Sequence, residues 1–128
     1  MRRLLPLFSL ALLAGCHPPA GPPEKYFSGE PVAHWLEAVR SPDAKVRKHA
    51  VDVLGNVGPT DPAAIPALIV ALGDKEAKVR TAAVLGLSKI GPPAAEALPA
   101  LEKRTKDTDA NVRKHAVRAV ARIQGEAE

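Results

Sequence analysis

Apolar residues recur along most of this chain with a fixed period of 33 residues. Val46, Val79 and Val112 stand in register, each followed by an arginine (Arg47, Arg80, Arg113) and preceded by an acid (Asp43, Glu76, Asp109). Ala50, Ala83 and Ala116 come next, then Leu54, Leu87 and Val120, then Val57, Ile90 and Ile123. Upstream, Val32, Ile65 and Leu98 align, as do Trp35, Leu68 and Leu101. The hexapeptide Val-Arg-Lys-His-Ala-Val occurs verbatim at 46–51 and 112–117. A period of this size marks a solenoid, in which each unit buries its apolar faces only against its neighbours.

Within a unit the spacing is helical. Val46, Ala50, Val53, Leu54 and Val57 fall on one face of an α-helix. Ile65, Leu68, Ile69 and Leu72 form a comparable stripe earlier in the second unit. Gly58-Pro59 and Gly91-Pro92 are helix stops. The pattern predicts an all-α fold, a short right-handed α-solenoid of three helix pairs. Its six helices are expected near 31–40, 43–57, 62–72, 76–90, 94–105 and 109–123. The units run 30–58, 62–91 and 94–124, with a tail at 125–128. No strand is expected. Trp35 adds apolar area where no unit precedes, and the polar face of the sixth helix is expected to serve as the closing surface.

The first residues follow another pattern. Arg2 and Arg3 form a basic head, and Leu4 to Leu13 is apolar apart from Ser9. That core is too short to cross a bilayer as a helix, which takes about 20 residues, but it fits a secretory signal. Leu13-Ala14-Gly15-Cys16 resembles the bacterial lipobox. The resemblance implies cleavage after residue 15 and a diacylglyceryl thioether on Cys16, with acylation of the new amine. Each buried methylene adds about 0.8 kcal/mol, so two or three chains anchor firmly. The signal is therefore read as 1–15, and 16–29 as the lipidated cysteine and a linker. Four prolines between His17 and Glu24 exclude helix and favour a semi-rigid stalk. Tyr26 and Phe27, at its end, either touch lipid or pack on the first helix; packing is preferred. His17 is not the aspartate that retains some lipoproteins inside, which favours the outer membrane over the inner.

Composition adds little to this picture. Only 3% of residues are aromatic, so the core is aliphatic. The formal charge of +4 includes Arg2 and Arg3. Without them 16 basic residues face 14 acidic ones, too near balance to argue for nucleic acid. The single cysteine excludes an intrachain disulfide and a multi-cysteine metal site.

The repeats resemble the HEAT repeat, and most closely the short HEAT-like repeats of phycobilisome lyases and many bacterial proteins. In that family a proline lies in the first helix, an aspartate ends the turn, and an arginine follows six residues later. Pro66, Asp74 and Arg80 match in the second unit; Pro99, Asp107 and Arg113 match in the third. The first unit has Ala33 and Ser41 in place of the proline and aspartate, and keeps Arg47. The resemblance implies a structural ladder of Arg47, Asp74, Arg80, Asp107 and Arg113 bridging adjacent units. A row of phosphate-binding arginines is the alternative. The scaffold itself does not carry a function.

His49 and His115 occupy equivalent positions two units apart, too far for one zinc, and duplication explains them. No hydroxyl residue sits in a motif with a histidine and a carboxylate, so no catalytic residue, metal or cofactor is expected. The candidate binding face is the outward side of the second helices: Lys48, His49, Leu85, Lys89, Lys114, His115, Arg118 and Arg122. A solvated charged surface is the plainer reading of the same residues. The leading expectation is a lipid-anchored scaffold in the bacterial envelope that binds a protein partner, an acidic segment by its charge. One alternative is an accessory or lyase-like bilin-handling protein, which the lack of a second thiol does not favour. Another is binding of anionic lipid, or less readily of nucleic acid, through the basic sixth helix.

Overall fold

The computed structural model describes residues 24–126. The signal segment, Cys16, the proline-rich stretch to residue 23 and the last two residues lie outside the described residues. Among the described residues two strands, β1 (Tyr26–Phe27) and β2 (Glu30–Pro31), precede six α-helices. These are α1 (Val32–Ala38), α2 (Ala44–Val57), α3 (Ala64–Ala71), α4 (Ala77–Ile90), α5 (Leu98–Arg104) and α6 (Ala110–Ile123). A 3-10 turn, Pro92–Ala97, leads into α5. The fold is an all-α solenoid of three helix pairs: α1–α2, α3–α4 and α5–α6.

The second helices form the spine, with α4 packed between α2 and α6. Each has 14 residues, twice the length of α1 or α5. Asp43 caps α2 by accepting from the Lys45 N–H at 2.8 Å. Asp109 caps α6 by accepting from Asn111 and Val112 at 2.9 and 3.1 Å. Glu76 holds the same position before α4 without a side-chain bond. The first helices are shorter than the apolar stripes suggest. In the third unit Pro92 and Pro93 hold the entry in a 3-10 turn, and α-helix begins only at Leu98. Pro66 and Pro99 sit within the first turns of α3 and α5, where a missing N–H is tolerated.

Each second helix has a backward and a forward face. Val79 and Val112 point back and are buried, whereas Val46 is 43% exposed because no described unit covers it. The expectation that Val46 belongs to the core stripe is thus corrected, and Arg47 is the buried neighbour instead. Val51 and Val84 point forward at 0% exposure, but their counterpart Val117 is 57% exposed. The forward face of α6 is therefore partly apolar, not the wholly polar end surface expected. Val84→Ala is expected to destabilise by about 2 kcal/mol from lost methylenes and the void. Val117→Ala should stay within about 0.5 kcal/mol. Urea unfolding of the two variants measures the contrast.

Glycine sets the tightest joint. A Cβ on Gly55 of α2 would lie 2.8 Å from Cα of Gly86 on α4, so the two backbones touch there. A Cβ on Gly58 would collide with the Ile90 side chain. Gly58 is thus required by packing, with an ordinary helical φ of −50°, while Gly91 ends α4 at φ +73°.

The strands correct two expectations. Tyr26 pairs with Pro31 and Phe27 with Glu30 around a Ser28-Gly29 turn. Both turn residues have positive φ, 53° and 83°, as a tight two-residue hairpin requires. The stalk expected to reach residue 29 therefore gives way sooner. Lys25 accepts from the Val32 N–H at 2.9 Å and donates through Nζ to the Thr60 carbonyl at 3.1 Å. The Phe27 carbonyl accepts from Trp35 Nε1 at 2.9 Å, and its ring packs against the core. Tyr26 instead stays 63% exposed. The hairpin is thus tied to α1 through Trp35 and Val32 and to the second unit's approach through Thr60, and it leaves Val46 open.

Candidate functional site

The turn between the helices of each pair positions an arginine in the same way. The Nη1 of Arg47 donates to the carbonyls of Ser41 and Pro42 at 3.0 and 3.1 Å. That of Arg80 donates to Asp74 and Lys75 at 2.8 and 3.1 Å. That of Arg113 donates to Asp107 and Thr108 at 2.7 and 3.1 Å. In the first two units these bonds leave Nε and Nη2 free to reach the next unit. Arg47 uses them to grip Asp74 at 2.8 and 3.2 Å. Arg80 grips Asp107 at 3.0 and 2.9 Å. Both are two-pronged contacts matched to a planar carboxylate.

The aspartates are also bound locally. Asp74 accepts from the Glu76 N–H and Asp107 from the Asp109 N–H, each at 2.9 Å. Arg104 adds a contact to Asp107 at 3.1 Å. Burial would push both carboxyls up, but the arginine bonds and turn N–H groups outweigh it and hold both below the ordinary aspartate range. Among the described residues no buried side-chain nitrogen or oxygen lacks a partner. Arg47, Asp74, Arg80 and Asp107 thus join the units, and Arg113 ends the row without a described carboxylate in its fork.

The second-helix face carries a groove of about 470 Å³ between α2, α4 and α6, lined among others by Lys48, Thr81, Leu85 and His115. A second groove of about 330 Å³ continues along it past Asn56, Leu85, Lys89 and Arg122. Leu85 borders both and is 42% exposed. The structure thereby brings Lys48, Leu85, Lys89, His115 and Arg122 onto one surface. Lys48 is held by Asp52 at 2.7 Å, and Lys89 by Asn56 at 3.0 Å. Lys114 and Arg118 line neither groove. His49 lies apart, edge-on to Trp35 with centroids 5.2 Å apart.

Sequence reasoning passed over Lys78, Asp109 and Asn111, which also line the first groove. They occupy helix starts rather than the central outward positions, but Lys78 and Asn111 share one place in the 33-residue period, a signal that was available. It also passed over a groove of about 490 Å³ on the other helix row, between α1 and α3, where Val70 is 78% exposed. Among the described residues no three His, Cys, Asp or Glu side chains gather as metal ligands. No described helix is long and apolar enough to cross a membrane.

Residues 32–121 match the family of HEAT repeats. The chain belongs to that family. The matched span takes in all six helices except the last two residues of α6. HEAT repeats are in general scaffolds for protein interaction, a role their stacked surfaces suit. No match was found among curated proteins.

Proposed function

We propose that this chain is a lipid-anchored HEAT scaffold that holds a protein partner at the bacterial envelope, and that it binds rather than catalyses. The observation that carries the binding role is Leu85, a large apolar side chain left 42% exposed where two grooves meet. Lys48, Lys89, His115 and Arg122 stand around it. An apolar centre with a polar surround is how protein interfaces are commonly built. The surplus of Lys48, Lys78, Lys89 and Arg122 over Asp52 and Asp109 favours an acidic partner surface. Anchoring is supported by the basic head, the apolar core and Leu13-Ala14-Gly15-Cys16. With His17 following the cysteine, the outer membrane is the proposed destination.

Two substitutions in the full chain test the two halves of this reading. Cys16→Ser is expected to move the protein from the membrane pellet to the soluble fraction, and the wild-type mature chain to begin at an acylated residue 16. Equal pelleting of the variant would overturn the anchor. Leu85→Glu is expected to keep the helical circular dichroism of the parent and to lose the partner captured by crosslinking in native cells. Undiminished capture would overturn the binding face.

A further inference from the structure

The last rung of the arginine ladder is set for a carboxylate that the described chain does not supply. Arg113 is anchored by Nη1 to its own turn, as Arg47 and Arg80 are. In those two units Nε and Nη2 grip the aspartate of the unit ahead. In the third, neither atom has a hydrogen-bond partner among the described residues. One helical turn further on the same face stands Val117, 57% exposed, where Val51 and Val84 are fully covered by the unit ahead. Arg113 and Val117 thus reproduce a polar and an apolar contact that the molecule completes twice internally.

We propose that this forward edge of α6 docks a helical partner protein that presents an aspartate at a turn, gripped by Arg113, with an aliphatic side chain against Val117. The inference rests on the scaffold reading and adds a second surface with a defined partner chemistry. The ladder itself supplies the ligand: a planar carboxylate fixed by a turn N–H, as in Asp74 and Asp107. A second copy of this chain stacked in the same sense fits poorly, because it would offer Ser41 at the position of Asp74 and Asp107. The guanidinium is already oriented, so little freedom is lost on binding.

The test places a photoreactive residue at Gln124, on the forward edge at the register of Gly58 and Gly91, in the full chain in native cells. A second version carries it at Leu85. Crosslinked peptides are mapped by mass spectrometry. The expected result at Gln124 is a peptide from another protein, joined at the far end of the edge from Arg113, since the two positions lie about 16 Å apart along α6. Its yield should fall about tenfold on Arg113→Gln, as when one member of a closely matched ion pair is removed. Arg113→Lys should fall between, since a point charge cannot make the fork. Arg118→Gln should leave the yield within about twofold. Crosslinks at Gln124 confined to a second copy or to the chain's own last residues would overturn the proposal, as would a yield indifferent to Arg113→Gln. Partner crosslinks at Leu85 with none at Gln124 would overturn it while leaving the scaffold reading in place. Absence of partner crosslinks at both sites would overturn both.

Discussion

Asp107→Ala is expected to lower the unfolding free energy by about 3–5 kcal/mol, the usual cost of stranding a buried charge. The Asp107 side chain is only 1% exposed and meets Arg80 and Arg104. Removing it leaves Arg80, itself 10% exposed, without its acceptor, and the Asp109 N–H without its bond. Asp107→Asn should do less damage, because the amide oxygen still accepts one of these bonds. The double variant Arg80→Met/Asp107→Leu should recover part of the loss, since an apolar pair avoids stranding either charge. Full recovery is not expected: the Asp74 and Lys75 carbonyls lose the Arg80 donor. Acid provides a check of sign. The folded carboxyls of Asp74 and Asp107 lie below the ordinary 3.8, so their contribution is fully present above that value. It is lost as pH falls through the folded values. Urea unfolding of the parent from neutral pH down to about pH 2 should show this loss, and Asp107→Ala should show a smaller one. A parent and variant with parallel pH profiles would contradict the assignment.

Leu87→Ala is the second large effect, at about 2–5 kcal/mol. Leu87 is 0% exposed on α4, the helix that touches both other second helices. Backbone contact at Gly55–Gly86 limits closure of the helices around the void. At roughly 4–8 °C per kcal/mol for a domain of this size, thermal denaturation should show a drop beyond 8 °C. Leu85→Ala removes the same atoms from a side chain already 42% exposed and should cost less than about 1 kcal/mol. Similar losses at both positions would mean that the inward and outward sides of α4 have been misassigned.

The solenoid was legible because one apolar pattern is written three times, and a 33-residue register leaves little freedom in how helices pair. Burial at the ends was not legible. Val46 and Val79 are the same residue at the same register, yet one is exposed and the other buried, because burial belongs to the neighbour as much as to the residue. The hairpin at Tyr26–Pro31 escaped because strands of two residues show no periodicity, although Ser28-Gly29 was a turn signal. Of the candidate face, the row of outward positions was readable from helical spacing. Its division was not: His49 resting on Trp35, or Lys89 reaching Asn56, depends on how adjacent units are set against each other.

The contact between Gly55 and Gly86 has a counterpart one joint along, where Ser88 and Ala119 hold the equivalent places. Each of these carries a side chain, so the second joint is wedged where the first is bare. Because the bend of a stacked array accumulates from small rotations at each joint, the arc of this short array is set by whether a single carbon is present at each meeting point. Lengthening or trimming those few atoms would change the radius of the surface offered to a guest, and at Gly55, Gly86 and Ser88 the floor of the second groove with it.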